Sequence, residues 1–133
     1  MLAVVDTNVW VSAFLTPDGA SAKLLDAVKR GQIVPAYSDA IESEYRDVLS
    51  RPRFRIGHEL VAEFLERLHE AGHRVEGSLT VAFTLPDPDD APFIALARHL
   101  NCPIVTGNAR HFPSEAGVDV CSPAEFLARI DMV

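Results

Sequence analysis

Basic charge is scarce in this chain. Twelve Lys and Arg residues face nineteen Asp and Glu, giving a net charge of −7 at pH 7, and lysine occurs only as Lys23 and Lys29. A general nucleic-acid binder working through a basic surface is thereby excluded. An enzyme acting on nucleic acid is not, because acidic groups that converge on divalent cations reverse the sign of the local field once metal is bound. Cysteine is limited to Cys102 and Cys121, with no Cys-x-x-Cys pair. A disulfide framework is ruled out, and both read as small buried residues of a protein in the reducing cytosol. His58, His69, His73, His99 and His111 show no ligand-like spacing with cysteines, so no zinc site is expected. Long hydrophobic runs are missing as well. The apolar N-terminus has no basic leader and is broken by Asp6 and Asn8, so neither a signal peptide nor a membrane span is expected. Phosphate-loop and dinucleotide-binding glycine motifs, low-complexity tracts, charge blocks and internal repeats are also absent.

What is present suits one globular domain over residues 1–133, with 48% hydrophobic residues to form its core. Short aliphatic runs alternate with amphipathic segments, the pattern of an α/β domain with a mostly parallel sheet. Strands are expected at 2–5, 33–36, 103–106 and 118–121. Helices are expected at 8–15, from about Ser21 to Gly31, and at 39–50 behind a Ser38 cap. Three more are expected at 58–71, at 90–100 and from Ser122 to about Ile130. In the 58–71 helix Leu60, Phe64, Leu65 and Leu68 are read as the buried face, with Gly72 stopping it. Ser122-Pro-Ala-Glu125 has the form of a capping box with proline at the first helical position. Residues 73–85 read as extended, through Val75 and Leu79 to Phe83.

Four places set polar or acidic groups at strand ends or on inward helix faces. Leu2 to Val5 form a near-continuous aliphatic run, as buried parallel strands do, and the run ends on Asp6 with Thr7 and Asn8 beside it. Ligands in open α/β sheets bind beyond the carboxyl ends of strands; the plainer reading of Asp6 is a helix cap. In the 39–50 helix the apolar stripe is Ile41, Tyr45, Val48 and Leu49, and Glu44 falls on it while Glu42, Arg46 and Asp47 lie nearer solvent. A carboxylate buried there would cost several kcal/mol if alone, so it needs a partner or a metal, unless its head reaches water. Asp87-Pro88-Asp89-Asp90 puts three aspartates before a helix that needs only one as a cap. Asp90 continues the buried line of Phe93, Ala97 and Leu100, and spacing alone does not separate it from Asp89. Finally, an apolar strand ends in Thr106-Gly107-Asn108, an ordinary turn if read by itself.

The ordered set Asp6-Thr-Asn8, Glu44-Tyr-Arg-Asp-Val-Leu, Asp87-Pro-Asp-Asp90 and Val-Thr-Gly-Asn108 resembles the PIN domain family, closest to the toxin-type ribonucleases of prokaryotic toxin–antitoxin systems. The resemblance spans almost the whole chain. It implies a five-stranded, mostly parallel sheet flanked by helices, and acidic residues that meet in one pocket. There they would hold Mg²⁺ or Mn²⁺ for hydrolysis of RNA phosphodiester bonds. Its catalytic acids fall on Asp6, Glu44 and Asp90. Asp87 is an additional acid, and Asn8, Ser12 and Thr106 are polar positions around the site. The family's fourth acid is replaced by Asn108, whose amide oxygen can coordinate a hard cation but brings no charge. A small antitoxin protein and assembly as a homodimer or higher homo-oligomer are the partners implied.

Arg51, Arg53 and Arg55 are the densest basic cluster, and Arg110 with His111 follows the Asn108 turn. They are expected to hold RNA phosphates, or else to be solvated loop residues or ion-pair partners. Trp10 and Phe14 read as core or subunit contact. Asn108 favours one rival reading, a catalytically weakened PIN-like binding module within a protein–RNA complex. A phosphate-receiver domain would need a lysine after a late strand, which this chain lacks.

Overall fold

A computed structural model describes residues 1–77, 90–109, 112 and 117–131. Among the described residues five parallel strands form one sheet: β1 (Leu2–Val5), β2 (Val34–Tyr37), β3 (His73–Arg74), β4 (Ile104–Val105) and β5 (Val120–Cys121), in the order β3-β2-β1-β4-β5. Six α-helices accompany them among the described residues: α1 (Thr7–Leu15), α2 (Ala20–Lys29), α3 (Asp39–Leu49), α4 (His58–Ala71), α5 (Ala91–Leu100) and α6 (Pro123–Asp131). This is the helix-flanked, five-stranded α/β architecture that the resemblance implies. No helix among the described residues is long and apolar enough to cross a membrane.

The aliphatic run Ala3–Val5 is fully buried because β1 is the central strand, with Leu2 opposite Val34 on one side and Val4 opposite Ile104 on the other. From β1 the chain winds outward through β2 to β3, and the later strands β4 and β5 lie on the other side. The sheet's switch in strand order therefore falls between β1 and β4, the place where open α/β sheets hold their ligands.

The local signals of the sequence become specific bonds. Ser38 Oγ accepts the Ile41 amide at 3.4 Å and starts α3. Ser122 and Glu125 bond reciprocally, each side chain taking the other's amide at 3.1 Å, and so start α6. Gly31, at φ 77, takes the left-handed position past α2. At Gly72 the requirement is space, since a Cβ there would lie 2.4 Å from the Leu68 carbonyl oxygen and 2.8 Å from the Tyr37 ring. Both cysteines are buried, and burial pushes their thiols up, that of Cys121 to about 11.

Some expectations need correction. Leu60 is not on the buried face of α4: it is 47% exposed and borders an open groove with Phe14 and Leu25, while Val61 takes its place in the core. A stripe read from composition favoured the larger residue, but the helix turns Val61, Phe64, Leu65 and Leu68 inward. The segment after Arg51 does more than end α3, since Pro52–Phe54 form a 3₁₀ turn. Strand β3 covers only His73–Arg74, followed by a bond from the Val75 amide to the Tyr37 carbonyl at 2.9 Å. The expected extended structure at 78–85, and Asp87, Asp89, Arg110 and His111, lie outside the described residues.

Trp10, Tyr45, Phe64, Phe93 and Phe14 form a connected aromatic cluster, with ring centroids 5.2–6.4 Å apart and mostly edge-to-face. It locks α1, α3, α4 and α5 together, so Trp10 and Phe14 serve the core. The Tyr45 hydroxyl donates to the carbonyl of Val5, the last residue of β1. Burial raises the Tyr45 phenol well above its ordinary value, an interaction with Trp10 opposes that rise, and the Asp6 and Glu44 charges add to it. The phenol is therefore a permanent donor. That bond ties α3 to the end of the central strand, one residue from Asp6 on one side and one from Glu44 on the other.

Candidate active site

Asp6 follows β1 and opens α1, yet its side chain does not cap that helix. It is 5% exposed and accepts a 2.7 Å hydrogen bond from Thr106 Oγ1, at the end of the neighbouring strand β4. The backbone repeats the link, with the Asp6 amide donating to the Val105 carbonyl at 2.9 Å. Thr106 Oγ1 also accepts the Asn108 amide at 3.1 Å. The Thr-Gly-Asn turn is thus an ordinary hydroxyl-stabilised turn whose hydroxyl proton is spent on Asp6.

Glu44 comes from α3 and is half-buried, and Thr7 Oγ1 donates to its carboxylate. Asp90, 6% exposed, sits at the start of α5 and likewise makes no side-chain cap bond. These three carboxylates, from positions 6, 44 and 90, line one cavity of about 330 Å³ with Thr7, Asn8, Asp47, Val48, Arg51, Arg53 and Phe54. Of the remaining candidates, Thr106 touches the cavity wall through Asp6, and Asn108 is half-buried on the same turn. Ser12 is exposed on α1, one turn beyond Asn8, and is not part of the lining; nor is Arg55.

Four residues of this lining, Thr7, Asp47, Val48 and Phe54, were not among the candidate site residues. Asp47 lies three residues after Glu44, on the same helical face, which is a readable signal. Thr7 adjoins Asp6, and its bond to Glu44 spans 37 residues. Phe54 carried no signal, since its place depends on how the 3₁₀ turn folds back over α3. Among the cations, Arg51 pairs with Asp47 at 3.1 Å, and the Arg53 guanidinium carbon lies 4.8 Å from the Phe54 ring centroid.

Glu42 shows what a structural acid on the same helix looks like. Burial pushes its carboxyl up, but hydrogen bonds from His69 at 2.5 Å and Arg46 at 2.9 Å outweigh this and hold it below 4.5. It lies toward the solvent side, as helical spacing predicts, and is paired there.

The donor set of the cavity is all oxygen: carboxylates, hydroxyls and amide carbonyls. That suits a hard divalent cation and not zinc or copper. Asp6 and Asp90 are carboxyl groups at nearly full burial, where a bound cation would offset the cost of desolvating and crowding their ionised forms. Among the described residues no three His, Cys, Asp or Glu side chains close on a single point as a ready-made chelate. Mg²⁺ does not require one, because it keeps several waters and takes one or two protein carboxylates.

The PIN domain family model matches residues 3–110. Solved structures share the fold over nearly its whole length. A chain of FitAcB from Neisseria gonorrhoeae is 18% identical with a TM-score of 0.60, covering 93% of this chain and 99% of that one. A chain of VapBC2 from Rickettsia felis, bound to a DNA fragment from their promoter, is 15% identical with a TM-score of 0.58, covering 90% and 97%. A domain of a functionally unknown protein from Methanocaldococcus jannaschii DSM 2661 is 17% identical with a TM-score of 0.55, covering 90% and 88%. No curated protein matches the chain by sequence. Asp6, Glu44 and Asp90 all fall inside the matched span, and the chain belongs to the PIN domain family.

Proposed function

We propose that this protein is a metal-dependent ribonuclease, the toxin of a toxin–antitoxin pair, hydrolysing RNA phosphodiester bonds in the cytoplasm. The observation that carries the reading is the convergence of Asp6, Glu44 and Asp90 on one cavity at the strand-order switch. Asp6, Glu44 and Asp90 would hold Mg²⁺ or Mn²⁺, with the Asn108 amide oxygen as a neutral ligand and Asp87 as an additional acid. A cation bound there supplies an activated water and offsets charge on the scissile phosphate.

The chain's own groups do the rest. Thr106 fixes the rotamer of Asp6, and Thr7 does the same for Glu44. Such outer partners typically matter 10–100-fold for metal affinity or activity. Arg51 and Arg53 sit on the cavity rim and would engage RNA in an otherwise acidic protein. No serine, cysteine or histidine lines the cavity among the described residues, so a covalent route has no evident nucleophile–base pair.

Family resemblance extends the proposal to partners: a small antitoxin protein, and a homodimer or higher homo-oligomer. Asn108, in place of a fourth acid, favours a second reading, a catalytically weakened module that binds RNA within a complex. One assay separates the two. RNA is incubated with purified protein in Mn²⁺ or Mg²⁺ and in EDTA, with Asp6→Asn prepared identically and Asp87→Asn beside it. Cleavage that needs the metal and drops at least roughly 100-fold in Asp6→Asn is expected, several kcal/mol of charge stabilisation being at stake. Activity surviving both EDTA and Asp6→Asn sinks the proposal, and metal binding without turnover on varied RNAs selects the second reading. Unchanged metal affinity in Asp87→Asn removes Asp87 from the ligand set.

A further inference from the structure

The two rim arginines behave differently, although both border the same acid-lined cavity. Arg51 does what electrostatics favours and pairs with a carboxylate, Asp47, at 3.1 Å. Arg53 has no ion-pair partner among the described residues and lies over the Phe54 ring at 4.8 Å. The ring beneath it is anchored, since Phe54 is half-buried and packs against the core. The backbone of the turn is closed as well. Pro52 opens it, the Phe54 amide donates to the Arg51 carbonyl and the Arg55 amide to the Pro52 carbonyl, both at 3.1 Å, and Arg55 ends it at φ 53.

We propose that Arg53, held over Phe54, is a nucleobase platform at the mouth of the cavity, making an unpaired base beside the scissile phosphate a determinant of substrate choice. The proposal rests on the nuclease reading and adds a specificity-determining residue to it: a side chain that favours strands with an unpaired base. A guanidinium supported on one face by an aromatic ring presents its other face to solvent. A delocalised cation in that position stacks on a base in a way a lysine ammonium does not. Stacking is tolerant of sequence, because every base has a π-face. A duplex keeps its bases internally stacked and gains nothing from such a platform.

The test uses the full chain and short single-stranded RNA carrying a fluorescent adenine analogue at each position in turn. Affinity and quenching are measured in Ca²⁺, so that binding is read whether or not the strand is cut. Arg53→Lys keeps the charge and loses the plane; Phe54→Leu keeps the bulk and loses the ring, with its thermal midpoint recorded to confirm folding. Each variant is expected to weaken single-strand binding about tenfold, the scale of one stacked base. Each should also abolish quenching at one position while leaving duplex RNA binding unchanged. An abasic nucleotide at that position should cost the wild type the same factor and cost Arg53→Lys nothing more. Unaltered affinity and quenching in Arg53→Lys, or equal losses on intact and abasic strands, would overturn the platform and leave Arg53 a simple charge or a brace for the turn. Failure of the nuclease reading looks different: no cleavage in Mg²⁺ or Mn²⁺, with the position-specific quenching intact.

Discussion

The cavity has two walls built on different principles. The Asp6–Thr106 wall comes from the ends of two adjacent central strands, is almost wholly buried, and has its geometry set by the backbone ladder between β1 and β4. The opposite wall carries Glu44, Asp47 and the Arg51–Phe54 turn. It is half-exposed, and its position depends on side chains: the aromatic cluster, the Tyr45 bond to Val5 and the Thr7 bond to Glu44. A strand-borne acid is placed by hydrogen bonds that the whole sheet enforces, whereas a helix-borne acid is placed by packing. Loss of a donor should therefore register in the chemistry on both walls and cost more stability on the first, where the acceptor is almost wholly buried.

The sharpest way to break this comparison is a matched pair of isosteric changes. Thr106→Val removes the hydroxyl from Asp6, and Thr7→Val removes it from Glu44. Both should lower cleavage and metal affinity by at least about tenfold. Thr106→Val should lower the thermal midpoint of the metal-free protein more than Thr7→Val, because it takes a donor from the 5% exposed Asp6 carboxylate, whereas the Thr7–Glu44 bond is only part-buried. Equal midpoints for the two variants would show the walls to be equivalent. A smaller effect is expected for Tyr45→Phe, which takes the donor from the buried Val5 carbonyl. A loss of about 1–3 kcal/mol in urea unfolding is anticipated, with cleavage falling less than in either threonine variant.

The smallest effect belongs to Glu42, on the same helix but outside the cavity. Its folded pKa is depressed below 4.5 by His69 and Arg46 against the opposing effect of burial. Its contribution to stability is therefore present above its unfolded pKa and lost as pH falls through the lower folded value. Glu42→Gln should flatten the acid limb of a midpoint-versus-pH curve below about pH 4.5 and leave cleavage at neutral pH unchanged. A loss of cleavage there would mean that the second wall extends further along α3 than the cavity lining suggests.

Legibility in the sequence followed the same division. Asp6 was readable because a four-residue aliphatic run and the acid after it are adjacent in the chain, and Glu44 because it interrupts an apolar stripe of fixed period. The Ser38 cap and the Ser122–Glu125 box were readable because a cap bonds within three residues. What could not be read was long-range or subtle. The Thr7–Glu44 bond joins residues 37 apart, Glu42 finds His69 across to α4, and Leu60 and Val61 differ only in which way one helix is rotated. The arginine run shows the limit most clearly: Arg51, Arg53 and Arg55 look alike on paper, yet the 3₁₀ turn sends two to the cavity and one away.

The Tyr45 hydroxyl on the Val5 carbonyl has an electrostatic side as well. A buried peptide oxygen one residue from Asp6 adds its own partial negative charge to an already crowded field. The phenolic proton masks that oxygen, and its high pKa keeps the mask in place across ordinary pH. Tyr45 is in effect an insulator, confining the negative potential to the carboxylates that line the cavity.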